Sequence, residues 1–178
     1  MALNIYAKVE DLLGIEESTQ QLHELYIQAL QAYEVRNFLD IGCGRGGLMQ
    51  IGQEQGIQCS GIDLSPIMVE EACAKGLDAK CQSICETGGE FDAVVAVFDV
   101  MNFIAPYDLD GFLECVAARL KPEGIFMFDI NTLHGFANVA EGTMSAEDET
   151  RYLSVDAIFE NNELHTTFTL FEKESDGR

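Results

Sequence analysis

The residues best suited to chemistry sit in one short stretch. Phe38 to Ile41 is an apolar run that ends in Gly42-Cys43-Gly44-Arg45-Gly46-Gly47. Glycines at such a place let the backbone turn sharply and let a ligand approach it closely. Two templates fit. Gly42, Gly44 and Gly47 satisfy the dinucleotide pattern, and Gly42, Gly44 and Gly46 satisfy a G-x-G-x-G pattern. Asp40 separates them, because it is expected at the mouth of the site, two residues before the first glycine. A carboxylate about 4 Å from a phosphate charge costs ~4 kcal/mol at an effective dielectric near 20. A ligand with a cationic amino-acid end and no phosphate suits the same spot. Asp63 is the second acidic residue, where a carboxylate can accept both ribose hydroxyls of an adenosine. It suits NAD equally well, so only Asp40 discriminates. Both aspartates fall at strand ends beside the glycines, which disfavours a purely turn-capping role.

The surrounding pattern supplies the elements that must position these groups. The first 37 residues read as helix, with Leu22, Leu25, Tyr26, Ala29, Leu30 and Tyr33 forming one apolar stripe. Strands are expected at Phe38–Ile41, Ile57–Ile62, Ala79–Ile84, Phe91–Phe98 and Ile125–Ile130. Helices are expected at Leu48–Gln55, from Pro66 to about Lys75 behind a Ser65 N-cap, and at Asp110–Leu120, where Leu113, Val116, Ala117 and Leu120 share a side. FDAVVAVF at 91–98 is nearly continuous apolar sequence, as a strand covered on both faces requires. Alternating strands and helices predict an α/β fold, a doubly wound, Rossmann-like, mostly parallel sheet with flanking helices. Ligands of such sheets bind at the carboxyl ends of the strands. Residues 131–150 read as an irregular loop with one helical turn. Arg151–Glu160 and Glu163–Glu172 alternate apolar and polar around Asn161-Asn162, which predicts an antiparallel hairpin. One domain is expected over 1–178: a helical cap at 1–37, a ligand-binding core at 38–130, and a loop and hairpin at 131–178.

Charge narrows the function classes. The 178 residues carry 31 acidic and 10 basic side chains, a net charge of −21. Affinity for nucleic acid comes from Lys and Arg displacing counterions, so no nucleic-acid partner is expected. No apolar run reaches the ~18 residues of a membrane span, and the first ten residues lack the features of a secretory signal. A cytoplasmic location is expected. Six cysteines and three scattered histidines show no metal-ligand spacing, so no metal is expected. The cysteines are expected to be core thiols in a reducing compartment.

Four segments in order carry a resemblance. FLDIGCGRGGL at 38–48, GIDLSPIMVEEA at 61–72, FDAVVAVFDVMNFI at 91–104 and LKPEGIFMFDINT at 120–132 resemble the successive motifs of class I S-adenosylmethionine-dependent methyltransferases. The last two are most similar to a bacterial group acting on small molecules. The resemblance implies S-adenosylmethionine as cofactor and S-adenosylhomocysteine as product. It places Asp40, Gly42, Cys43 and Gly44 along the methionine part of the cofactor and Asp63 on the ribose hydroxyls. Leu64 and Ile62 would lie against adenine. Asp99 would face the methionine amino group and the transferable methyl, with Asn102 at the substrate opening.

Departures from the family pattern carry expectations of their own. Arg45 stands where Ser or Thr is common and is expected to point to solvent. The usual acidic residue at the adenine edge is missing, and Gln82 is the chosen substitute from among Cys81, Gln82 and Ser83. Families of this fold build seven strands, whereas five and a hairpin are legible. Either the hairpin supplies the last two strands, or it is an inserted substrate lid and those strands lie beyond residue 178. The second is favoured, and with it self-association through an unfinished edge, hence a homodimer.

In-line methyl transfer needs alignment and exclusion of water more than acid–base chemistry. Where the acceptor needs a base, His134 is the best candidate. Asp129 and Asn131 either orient substrate or satisfy backbone groups after the fifth strand. Tyr6 and Tyr26 are candidates to close the site, Tyr26 being the better suited to core packing, while Phe159, Phe168 and Phe171 are expected to build a sheet face. The functional expectation is therefore a methyltransferase acting on a small molecule. The alternatives are a non-catalytic cofactor-binding protein or partner subunit, and an NAD-dependent oxidoreductase, which Asp40 disfavours.

Overall fold

The computed structural model describes residues 2–173. The chain divides into two compact units, one spanning Glu17–Ile130 and the other joining the segment through Glu16 to the segment from Asn131 onward.

The first unit holds five parallel strands: β1 (Asn37–Ile41), β2 (Gln58–Asp63), β3 (Ala79–Cys81), β4 (Phe91–Ala96) and β5 (Leu120–Phe128). Their order is β3-β2-β1-β4-β5, all pairings parallel. Order therefore runs outward from β1 in both directions, and the switch falls between β1 and β4, where ligands of such sheets bind. Helix α2 (Glu16–Ala32, almost wholly in this unit) precedes β1, and α3 (Gly47–Glu54), α4 (Pro66–Ala74) and α5 (Leu109–Ala117) lie between strands. Apolar clusters form on both faces of the sheet. Tyr26, Leu30, Phe38, Leu48, Met49, Val69, Ala72 and Val95 make one, and Leu39, Ile41, Ile62, Val94, Ala96, Phe112 and Val116 make the other. Alternation along β1 sends Phe38 and Asp40 to the first face and Leu39 and Ile41 to the second.

Local chemistry explains where these elements begin and end. Pro66 occupies the first turn of α4 and Ser65 Oγ accepts from the Met68 N–H at 3.5 Å. β3 stops at Cys81, short of the expected Ile84. There Glu86 accepts from both the N–H and the hydroxyl of Ser83, at 2.9 and 2.8 Å, and closes a 3-10 turn over Ile84–Glu86. β5, last in the strand order, starts at Leu120 and not at Ile125, because Leu120 already pairs with Phe91. Its register against β4 slips between Phe91 and Ala93 opposite a bulge in which Glu123 has φ 65°. Edge position and bulge together admit Pro122. In α2 the buried residues are Tyr26, Ile27 and Leu30, whereas Leu25, and Tyr33 just past the helix, are exposed. In α5, Phe112 and Val116 are buried, Leu113 is exposed, and Leu120 belongs to β5.

The second unit contains α1 (Ala2–Val9) and an antiparallel sheet of β6 (Gly142–Glu147), β7 (Arg151–Glu160) and β8 (Glu163–Glu172). The hairpin lies where expected, with Asn161 and Asn162 at φ 54° and 64° supplying its two-residue turn. Residues 131–150 are more ordered than expected. They contain a helical turn at Leu133–Gly135, a π turn at Phe136–Ala140, and β6. The hairpin thus belongs to a separate three-stranded sheet and does not supply further strands of the parallel one. Val9, Leu153 and Val155 form its small core, with Phe168 and Leu170 packed alongside. Arg151 ties the unit together, pairing with Asp11 and Asp148 at 2.6 Å each.

Candidate functional site

The glycine turn leaves β1 with Gly42, Gly44 and Gly46 at φ 71°, 52° and 78°, while Gly47 begins α3. The three left-handed positions select the G-x-G-x-G template. The N–H groups of Gly42 and Cys43 both donate to the Ile62 carbonyl, at 2.8 and 3.0 Å, which fastens the turn to β2. A Cβ on Gly42 would lie 2.7 Å from a methyl of Val100, so no side chain fits there. Gly44 differs. A Cβ there would meet nothing within 4 Å, so this part of the turn faces open space.

Asp63 ends β2 beside that space. Its Oδ2 accepts from the Gly44 N–H at 3.0 Å and its Oδ1 from the Ser65 N–H at 2.7 Å. One lone pair on each oxygen is spent on holding the carboxylate in place, and the other is left for a ligand donor.

Asp40 is buried, 3% exposed, not at an open mouth as the sequence led one to expect. Its side chain has no hydrogen-bond partner among the described residues, yet no fully enclosed polar side-chain atom there lacks a partner. The surface that Asp40 retains is therefore at its oxygens. Burial, and secondarily the charge of Asp63, push its pKa up from 3.8 to about 8. Such a carboxyl accepts a proton or a cation at little cost. Cys43 follows the same logic. Its thiol is buried and its pKa is raised by burial, Asp40 and Asp63, so it contributes packing and not reactivity.

β4 ends at Ala96, and Phe98 and Asp99 then take left-handed φ values of 64° and 60°. Both N–H groups donate to one carboxylate, that of Asp129, at 2.9 Å each. Asp129 also accepts from the Tyr26 hydroxyl at 3.1 Å. Of the two roles open to Asp129, satisfying backbone groups is the one the geometry realises. The Asp99 carboxyl is half-buried, its pKa raised by burial and then by Asp129. Tyr26 is drawn to the site through Asp129, and its hydroxyl pKa is raised by burial and by that carboxylate. His23, also on α2, lies edge-on to Phe98 at 6.2 Å and crowds the start of α3 at Gly47. Burial lowers its pKa, favouring the neutral ring. Helical spacing places His23 one turn from Tyr26, the only sequence signal for it.

The other expected residues have these surroundings. Ile62 is a core residue packed with Leu39, Ile41 and Ile84, so only Leu64, 63% exposed, is free for a flat ring. Gln82 donates to Thr87 Oγ1 at 3.0 Å within the turn after β3. Arg45 does not point freely to solvent, because its Nε pairs with Glu71 at 2.6 Å. Asn102 is exposed, and its N–H donates to the Asp99 carbonyl at 2.8 Å. His134 lies in the second unit, exposed, with Nδ1 3.2 Å from the Asn138 amide nitrogen. Tyr6 packs edge-on against Phe168, and Phe159 stacks on Phe136, both within the second unit. The cysteines are not uniformly core thiols: Cys85 and Cys115 are disulfide-bonded, and Cys73 and Cys81 are exposed. Among the described residues no three His, Cys, Asp or Glu side chains cluster to hold a metal, and no helix is long and apolar enough to cross a membrane.

Comparison with known proteins bears on the family and the fold. A family described as a methyltransferase domain matches residues 38–124. YqeM of Bacillus subtilis (strain 168), a methyltransferase by name, is 32% identical over 126 residues, 65% of this chain and 51% of that protein. The cyclopropane-fatty-acyl-phospholipid synthase of Escherichia coli (strain K12) is 30% identical over 66% of this chain and 32% of its own length. The chain thus spans about half of the one relative and about a third of the other. Among solved structures, an S-adenosylmethionine-dependent methyltransferase from Clostridium acetobutylicum ATCC 824 has the same fold. Its TM-score is 0.79 at 22% identity, covering 99% of this chain and 77% of that one. The match over residues 38–124, just under half of the chain, together with the shared fold, supports the resemblance to class I S-adenosylmethionine-dependent methyltransferases.

Proposed function

We propose that the chain binds S-adenosylmethionine at the glycine turn and transfers its methyl group in line to a small-molecule acceptor. The observation that carries this reading is the buried, unpartnered carboxyl of Asp40 beside a glycine turn whose Gly44 faces open space. The residues fit the cofactor. Asp40 and Asp99 offer carboxyl oxygens to a cationic amino-acid end, and Asp63 keeps lone pairs for two ribose hydroxyls. The exposed Leu64 offers an apolar surface to adenine, with Gln82 at its edge, and the turn at Gly42, Cys43 and Gly44 lines the methionine part. The cofactor supplies an already activated methyl, so the chain needs no redox or hydrolytic group.

The chain's own work is binding, orientation and exclusion of water. Asp99, beyond β4, would hold the cationic end together with Asp40. Asn102 follows on the next turn and is proposed to orient the acceptor. His134 is proposed as the base for acceptors that must lose a proton. The acceptor is proposed to be small, in keeping with relatives and neighbours named for sugars, alkaloids, porphyrin and lipid. One is CalS10 of Micromonospora echinaspora, an amino pentose methyltransferase solved with bound cofactor (TM-score 0.69, 16% identity, 94% of this chain and 80% of that one).

The cytoplasm is the proposed compartment on the strength of the free thiols, since exposed Cys73 and Cys81 would oxidise elsewhere. The Cys85–Cys115 bridge argues against it. A homodimer is proposed because β8 ends its ladder as an edge strand, which can pair with a second copy.

Calorimetry with S-adenosylmethionine, S-adenosylhomocysteine and NAD tests the reading. Binding of the first two and weak or no binding of NAD is expected. Tight NAD binding without adenosylmethionine binding overturns it. A methyl-donor turnover assay over amines, phenols and acids then separates an enzyme from a cofactor-binding subunit.

A further inference from the structure

Two consecutive non-glycine residues in the left-handed region need an explanation. Each costs about 1–2 kcal/mol relative to ordinary backbone, and Phe98 and Asp99 bear that cost side by side. They lie past the last β4–β5 ladder pair, Ala96 with Phe128, so no sheet hydrogen bond holds them. The Asp129 carboxylate takes the place of the ladder. Oδ1 accepts from the Phe98 N–H, Oδ2 from the Asp99 N–H, and Oδ1 again from Tyr26 of α2. The turn it holds does two things. It presents the Asp99 carboxyl, and it seats Val100 against the backbone of Gly42 so closely that no Cβ fits between them.

We propose that Asp129 is a positioning residue that acts through the Phe98–Asp99 turn. It fixes the Asp99 carboxylate, and Tyr26 holds Asp129 in register. This inference rests on the methyltransferase reading only for the identity of the ligand. The hydrogen-bond geometry is independent of that reading.

An aspartate is required there by valence. Both turn groups are donors, and a carboxylate presents only acceptors, whereas an amide would turn an N–H donor toward one of them. Asp129→Asn is therefore nearly isosteric, yet it breaks one of the two turn bonds. Tyr26→Phe removes only the third bond and leaves both turn bonds in place.

The test uses the full chain and two readouts. The first is amide hydrogen exchange without ligand. Asp129→Asn is expected to speed exchange of the Phe98 and Asp99 amides at least tenfold, while the β4 amides from Val94 to Ala96 stay protected. The second is calorimetric binding of S-adenosylmethionine in a double-mutant cycle with Asp99→Asn. Asp129→Asn is expected to weaken binding at least tenfold in the wild-type background and less than threefold in the Asp99→Asn background, because its effect runs through Asp99. Tyr26→Phe is expected to weaken binding about threefold to fivefold with the same coupling, and it serves where Asp129→Asn does not fold. Equal losses in both backgrounds, or unchanged exchange of the two amides, overturn the proposal. Absence of cofactor binding by the wild type overturns the methyltransferase reading instead, and exchange still decides the role of Asp129.

Discussion

Replacing Asp40 by Asn should separate what this residue costs the fold from what it gives the ligand. The carboxyl is buried and its pKa stands at about 8 in the folded chain, against an ordinary 3.8. The folded state therefore binds more protons than the unfolded state between those values. Stability must fall as pH rises through that window and level off above about 8. At roughly 1 kcal/mol per pH unit, the penalty amounts to several kcal/mol at alkaline pH. Asparagine keeps the shape and cannot ionise. Urea unfolding at half-unit steps from pH 5 to 8.5 measures the comparison. The variant's advantage over wild type should grow by roughly 1 kcal/mol for each pH unit and flatten above about 8. Parallel stability curves for the two proteins would refute the burial argument.

Binding should move the other way. A cationic ligand end favours the ionised carboxylate, so its binding expels the proton, and wild-type affinity for S-adenosylmethionine should strengthen as pH rises towards 8. Asp40→Asn should lose that dependence and bind about 10- to 100-fold more weakly, since a hydrogen bond to a charged group is worth ~1.5–3 kcal/mol. A variant that is more stable at pH 8 yet binds as well as wild type would show that Asp40 serves no ligand.

Further outcomes are open to direct measurement. Asp63→Ala should weaken cofactor binding about a hundredfold or more, because two hydrogen bonds to a charged group are lost, and calorimetry reads it. Gly44→Ala should lower stability by about 1–2 kcal/mol for its left-handed φ and weaken binding beyond that, because its methyl enters the open space; equal binding would show that the space is not the cofactor's. Reducing Cys85–Cys115, which encloses a separation of 30 residues, should lower stability by about 3–4 kcal/mol in the chain-entropy account. Urea midpoints with and without reductant test it, with Cys115→Ala as control. Replacing Asn161 and Asn162 together by Ala should destabilise the β7–β8 hairpin by about 2–4 kcal/mol, seen as faster amide exchange along both strands.

Legibility of the fold tracked how local its causes were. FDAVVA could only be a strand covered on both faces, Ser65-Pro66 could only open a helix, and Asn161-Asn162 marked the hairpin turn to the residue. β6 was missed because GTMSAE lacks β-branched residues apart from Thr143 and is a strand only by pairing with β7. β3 was drawn too long because the Ser83–Glu86 turn competes with extension. In the site, glycine spacing and strand-end aspartates were readable because the backbone itself makes that part. Its other supports were not. Asp129, Tyr26 and His23 come from elements far apart in sequence, and Tyr26 and Asp129 are separated by 103 residues. Periodicity could mark Tyr26 as inward-facing but not as the donor to a carboxylate at the end of β5. The Arg45–Glu71 pair and the Cys85–Cys115 bridge were hidden for the same reason, each joining segments whose approach only the folded sheet defines.

The aspartates that end β1 and β2 show how one sheet edge serves opposing demands. Asp63 is satisfied before any ligand arrives, because the glycine turn and the start of α4 each give it an N–H. It is rigid and still has acceptor capacity to offer. Asp40, on the neighbouring strand and facing the helices α2 to α4, is denied such partners. Alternation along β1 commits it to the same face as Phe38, so the sequence that builds the core also buries the carboxyl. Filling its neighbourhood with donors would stabilise the empty fold and leave nothing for a cationic ligand to satisfy. The unpaired state is thus a stability cost localised at the one position where binding can repay it, and the size of that repayment is what the paired pH profiles of wild type and Asp40→Asn would measure.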